Sequence, residues 1–205
     1  MSVSYSRPVD LVVLPATTDI FPAMETLFSE GGDPSWCWCM SFRVPGKETG
    51  RDQAMRELNH ARMRDLVGEA ELAPGLIGFL DDRPVGWVSI GPRHDYLRLQ
   101  RSAVYARVDD TPVWSIVCFV VSRASRGLGV SHALLAAAIE FARGQGATVI
   151  EAYPPDVGDR HLYAAYGYAG FKGMYQAAGF RVAAVRRLTP TSTPRLTMRL
   201  DLVQS

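Results

Sequence analysis

The sequence predicts an α/β fold, with α+β character, in which a mixed sheet carries helices on both faces. Three observations carry this. Residues 114–153 read as strand, glycine turn, helix and strand, a crossover that sets parallel strands in one sheet. Gly75–Leu80 and Val85–Ile90 are apolar runs joined by Asp81–Pro84, a hairpin signal. Strand-like and helix-like segments alternate along the chain, which puts helices on both sides of the sheet.

Taken in order, Asp10–Pro15 is the first strand. Thr17, Thr18 and Asp19 offer an N-cap to a helix reaching about Glu30, with Phe21, Met24, Leu27 and Phe28 at helical spacing. Gly31–Pro34 ends it, and Ser35–Val44 is dense in aromatic and sulfur side chains. Asp52–Gly68 is a charged amphipathic helix whose expected apolar face is Met55, Leu58, Met63, Leu66 and Val67. After the hairpin, Arg93–Asp110 reads as a long polar connection. Trp114–Val121 is a strand whose run from Ile116 to Val121 is apolar on both faces, as a central strand requires. A basic turn over Ser122–Gly129 leads into a helix from Val130 to about Arg143, stopped by Gly144–Gly146. Ala147–Tyr153 is a further strand, broken by Pro154 and Pro155, and 156–169 is a tyrosine-rich loop. Phe171–Ala178 is a short helix closed by Gly179, and Phe180–Arg187 and Arg195–Leu202 are the last strands.

The chain has 205 residues, 47% hydrophobic and 21% charged, which fits one domain over 1–205 with a substantial core. The formal net charge is +1 and the arginines are scattered, so no bulk field draws the protein to nucleic acid or to a membrane. The longest apolar runs, such as Ala133–Ile139, are too short to span a bilayer. The N-terminal residues lack the apolar core of a signal peptide. Cys37 and Cys39 form a C-x-C pair with only four dispersed histidines in the chain, which does not make a metal site. With Cys118 in an apolar strand, the simplest expectation is a reduced, cytoplasmic protein.

The turn after the central strand is where an anion would be held. A helix N-terminus presents free N–H groups and a partial positive charge, and glycines let backbone approach phosphate oxygens. Two glycine motifs are excluded: no Lys-Ser or Lys-Thr pair follows, as a P-loop needs, and His132 stands where a dinucleotide fingerprint needs its third glycine. What stands is Arg126-Gly127-Leu128-Gly129-Val130-Ser131, or R-x-x-G-x-S. This resembles the acetyl-CoA signature R/Q-x-x-G-x-G/A of the GNAT N-acetyltransferase superfamily, with Ser131 in the last small-residue position. Tyr175-Gln-Ala-Ala-Gly179-Phe180 is similar to the family's Y-x-x-x-G-F segment, and the element order matches its fold over nearly the whole chain.

The resemblance implies a GNAT fold, with a mixed, mostly antiparallel sheet of about six to seven strands. It implies acetyl-CoA as co-substrate, its diphosphate on Arg126 and the Gly127–Ser131 backbone, its pantetheine arm along Phe119, Val120 and Val121. It also makes Tyr175 the matching general acid for the departing thiolate, the alternative being a packing role. Glu151 is a candidate base because its strand borders the central one; His94, Asp95, Asp109 and Asp110 are others. Trp36 and Trp38, with the loop tyrosines Tyr163, Tyr166 and Tyr168, are candidate walls of an acceptor pocket suited to an organic amine. A covalent route through Cys37 is disfavoured, because an apolar setting raises a thiol pKa. The expected reaction is acetylation of a small-molecule primary amine. The alternatives are a peptide or protein acceptor, and a non-catalytic acyl-CoA sensor. The family also pairs through its last strands, and the alternation of Leu196, Met198, Leu200 and Leu202 allows a homodimer.

Overall fold

A computed structural model describes residues 11–30, 36–48, 50–157 and 167–202. Seven strands form one sheet: β1 (Val12–Pro15), β2 (Gly75–Leu80), β3 (Arg83–Pro92), β4 (Trp114–Val121), β5 (Val149–Ala152), β6 (Arg181–Arg186) and β7 (Arg195–Asp201). Their spatial order is β1-β2-β3-β4-β5-β7-β6. Only β4 and β5 run parallel; every other neighbouring pair is antiparallel. The helices are α1 (Phe21–Ser29), α2 (Gln53–Glu69), α3 (Leu97–Arg101), α4 (Val130–Gly144) and α5 (Lys172–Ala177), with short 3₁₀ turns between.

The sheet separates two apolar clusters. One holds Met24, Leu27 and Phe28 of α1, Met63 and Val67 of α2, and Trp87, Val117, Cys118 and Val120 of the sheet. The other holds Leu134, Leu135 and Ala138 of α4, Met174 and Tyr175 of α5, and Val88, Ile116 and Phe119 of the sheet. Val117 and Cys118 are consecutive yet face the same cluster. A bulge allows this: Ser89 pairs with Cys118 and the next residue, Ile90, pairs with Ile116, so Val117 is the extra residue.

Several local expectations need correction. The β2–β3 turn contains only Asp81 and Asp82, at φ 48° and 60°, and Pro84 lies inside β3 beside a register shift. Two left-handed residues make the two-residue hairpin turn whose twist suits the strands, and a bulge tolerates proline. On α2, Asp52 caps the helix through the Met55 N–H at 2.8 Å. Its buried stripe is Asn59, Met63 and Val67, while Leu58 is exposed. Asn59 turns inward at the i, i+4, i+8 spacing, and its Nδ2 reaches the Trp36 carbonyl at 3.5 Å. Neither Thr17, Thr18 nor Asp19 caps α1; its N-cap is Ile20, and Pro22 lies in its first turn. The 93–110 connection is no polar loop: Arg93, Tyr96, Leu99 and Tyr105 are all buried there. The apolar alternation of β7 serves the core, since Leu196, Met198 and Leu202 are buried under α4 and α5. The free edge on that side is β6, with Val182 and Val185 exposed.

Candidate active site

The parallel pair is short. β4 and β5 match only over Trp114–Ile116 and Ile150–Ala152. Beyond Ile116, β4 continues to Val121 paired with β3 but not with β5, while the chain leaving β5 turns toward β7: Leu196 N–H donates to the Pro154 carbonyl at 2.9 Å, and Pro155 bridges Arg195. Pro154 and Pro155 end the pairing because neither has an N–H to donate. The result is a wedge between the two strands, open on the far half of β4. Into it Phe119 turns its backbone N–H, which donates to the Tyr168 carbonyl at 2.6 Å. Strand alternation sends the Val121 N–H the same way.

The basic turn stands at the open end of the wedge. Gly127 and Gly129 take φ of 80° and 84°, the left-handed region that glycine enters without strain. Gly129 is the N-cap of α4 and no side chain caps the helix. The N–H groups of Arg126, Leu128, His132 and Ala133 bond to backbone within the turn. Those of Gly127, Gly129, Val130 and Ser131 have no acceptor among the described residues, and Arg126 is exposed and outside any ion pair there. Four free donors, a fifteen-residue helix behind them and one free guanidinium fit a diphosphate.

Tyr175 is wholly buried, its ring 5.2 Å from that of Phe180 and 6.5 Å from that of Phe119. Its Oη donates to the Ala169 carbonyl at 3.0 Å, and burial pushes the phenol up, so it stays protonated. Gly170, at φ 74°, lets this contact form: a Cβ there would lie 2.9 Å from the Tyr175 oxygen. Tyr175 and Phe119 are therefore both tied to 168–169.

Glu151 sits at the closed end of the wedge, 1% exposed. Its Oε1 accepts from Arg199 Nε at 2.8 Å; its Oε2 accepts from Tyr153 Oη at 2.7 Å and from Arg93 Nη1 at 3.4 Å. Tyr153 Oη also meets Ser115 Oγ at 2.9 Å, and Arg93 Nη2 donates to the Leu99 and Tyr105 carbonyls. Both oxygens of Glu151 are thus held by cations and a phenol, at the buried closed end of the wedge. The other base candidates fare no better. His94 is 83% exposed, Asp110 is fully exposed, Asp95 faces Arg43 at 3.8 Å, and Asp109 is bound by Arg199 through both oxygens. A surface groove of about 620 Å³, lined by His94, Gln100, Arg107 and Thr148 among others, lies at the opposite end of β4 from the wedge.

Of the aromatic segment, Trp38 belongs to the core. Its ring stacks on Phe28 at 4.7 Å and its Nε1 has no hydrogen-bond partner among the described residues. Trp36 is half-buried under Arg51, 5.1 Å from its guanidinium carbon. Tyr163 and Tyr166 lie outside the described residues. Cys37 is raised well above the ordinary thiol range by its hydrogen bond with Cys39 and by burial, and burial does the same to Cys39, so neither is a ready nucleophile. Sequence reasoning missed Arg93, Arg98, Arg195 and Arg199 at this site. The carboxylates and the carbonyl that bind Arg93, Arg195 and Arg199 across the wedge lie 42 to 90 positions away along the chain, and the one local signal was four arginines beside aromatic or apolar positions.

The family model for the acetyltransferase (GNAT) family matches residues 37–168, and the chain belongs to that family. It is accordingly an N-acetyltransferase that draws its acyl group from an acyl-CoA. No curated protein matches the sequence closely enough to count. Among solved structures, it is similar to the Drosophila melanogaster polyamine N-acetyltransferase, with TM-score 0.59, 14% identity and coverage of 94% of this chain and 100% of that one. An agmatine N-acetyltransferase in its apo form gives TM-score 0.58 at 15% identity, with the same coverages. The ribosomal-protein-S18-alanine N-acetyltransferase from Escherichia coli gives 0.55 at 12%, covering 95% and 96%. At such identities the likeness is one of fold.

Proposed function

We propose that this protein transfers the acetyl group of acetyl-CoA to the primary amine of a small molecule by direct attack. The observation that carries the reading is the row of unpartnered N–H groups at Gly127, Gly129, Val130 and Ser131, set at the mouth of the β4–β5 wedge. The turn and Arg126 hold the diphosphate, and the β4 edge from Phe119 to Val121 receives the pantetheine arm. The amine nitrogen attacks the thioester carbonyl carbon, a tetrahedral oxyanion forms, and the C–S bond breaks to release the thiolate. A β4 N–H aimed at the oxyanion stabilises it. Tyr175 gives its proton to the thiolate, exchanging its bond to Ala169 for one to sulfur, and takes a proton back from water once CoA has left. Because both Glu151 oxygens are already bonded to buried partners, the amine loses its proton to water. Holding both reactants in one cleft supplies much of the rate.

Polyamine and agmatine acetyltransferases share this fold with a ribosomal-protein acetyltransferase, so the fold leaves the acceptor open. The half-buried Trp36 and the aromatic wall around Tyr105 and Tyr168 favour a small acceptor over an extended chain. The test is acetyl-CoA binding by thermal shift, followed by thiol release over an amine panel. Arg126→Ala is expected to weaken acetyl-CoA binding by about 10- to 100-fold, the loss of one charge-assisted hydrogen bond. Tyr175→Phe is expected to lower kcat with acetyl-CoA affinity kept. Unchanged melting with acetyl-CoA removes the reading, and unchanged kcat in Tyr175→Phe removes the acid.

A further inference from the structure

The face of the wedge covered by α1 and α2 carries more positive charge than it neutralises. Arg93 and Arg199 are spent on Glu151 and Asp109. Arg98 and Arg195 have no ion pair among the described residues. Their guanidinium carbons lie 6.0 and 5.9 Å from the centroid of one ring, Tyr105, and Arg98 is also 5.2 Å from Phe42. Arg195 Nη1 donates to the Tyr153 carbonyl at 3.1 Å, while Arg98 is exposed and makes no hydrogen bond there. The Tyr168 phenol lies within the field of both arginines, and its backbone carbonyl is the one on Phe119 in the wedge. The cluster therefore borders the place where the acceptor must stand. Next to Phe42, the Arg43 side chain is buried on the Tyr96 ring at 4.4 Å. Its Nε and Nη2, the side-on edge of the fork, have no hydrogen-bond partner among the described residues, and Asp95 is 3.8 Å from Nη1.

We propose that the acceptor is an amine that also bears a carboxylate, such as a free amino acid, with the carboxylate held between Arg98 and Arg195 while the amine faces the thioester. Guanidinium groups suit carboxylates because their planar forks match two oxygens. An acceptor of several positive charges, such as a polyamine, meets repulsion on this wall. This inference rests on the acetyl-transfer reading and deepens it.

The test compares free L-amino acids with their amides, alongside agmatine, spermidine and a short acidic peptide, by thiol release with acetyl-CoA, with rates expressed per unprotonated amine. The expected result is a preference for the free amino acid over its amide of about 10-fold or more in kcat/KM, with agmatine and spermidine poorer still. Arg98→Ala is expected to raise the KM for the amino acid by about 10-fold and erase the preference, leaving the KM for acetyl-CoA unchanged. Arg98→Lys keeps part of it, and Arg64→Ala, an exposed change on α2, alters nothing. Arg195→Ala repeats the Arg98→Ala result if it folds. Equal or better use of the amides, polyamines or peptide overturns the proposal. So does a preference that survives in Arg98→Ala, or acetyl-CoA binding with no turnover of any carboxylate-bearing amine. Failure to bind acetyl-CoA overturns the acetyl-transfer reading itself.

Discussion

Glu151 decides more by its partners than by its charge. A carboxylate held by Arg93, Arg199 and Tyr153 sits at the closed end of the wedge, one residue pair before β4 and β5 part. Glu151→Gln would leave buried guanidinium charge uncompensated, at a cost of about 3–5 kcal/mol in denaturant unfolding. If the residue is structural, activity per folded molecule stays near wild type; a catalytic base would lose it. Asp109, at the outer end of the same chain of charges, is held below the usual carboxylate range by its bonds from Arg199. Its folded pKa is depressed, so its contribution to stability is complete above the unfolded value of about 3.9 and is lost as pH falls below it. Melting temperatures from pH 6 to pH 2 are expected to converge for wild type and Asp109→Asn; a constant gap would contradict the assignment.

The elements themselves were legible because their signals are local. Alternation, apolar runs and glycine turns place all seven strands within two residues of their observed ends, and Arg126–Ser131 reads as a strand-to-helix turn without any tertiary knowledge. Asp10, the first residue expected in β1, lies outside the described residues. The 93–110 segment misled because its charges dominate, although Tyr96 and Leu99 sit one turn apart and both face inward. The ion pairs of the network join residues 48 to 90 positions apart, and no short window along the chain contains such a pair. How tightly α4 lies on the sheet was equally hidden. Gly86 of β3 faces the first turns of α4, and a Cβ there would stand 2.7 Å from Val130 Cγ1 and 2.8 Å from Leu134 Cδ1. Gly86→Ala is therefore expected to cost about 1–3 kcal/mol by overpacking. Because Val130 belongs to the donor row, the same change should weaken acetyl-CoA binding while leaving Arg126 untouched. Calorimetric titration measures both effects, and normal affinity in a destabilised variant would separate helix position from cofactor binding.

Across the whole molecule, the sheet consists of an antiparallel block β1–β4 and a second block β5, β7, β6, joined by three residue pairs. The first block has both its faces covered, by α1 and α2 on one side and α4 on the other, while β6 leaves Val182 and Val185 to solvent. The narrow seam proposed to receive the substrate is also the line of weakest strand pairing between the two blocks. Native-state hydrogen exchange should resolve two cooperative units, with amides of β6 and β7 opening at lower free energy than those of β3 and β4. A single opening energy across both blocks would show that α4 and α5 couple them fully. A ligand lying along the seam touches both units at once, so acetyl-CoA should slow exchange in β6 and β7 as well as in β4, welding two halves that otherwise breathe apart.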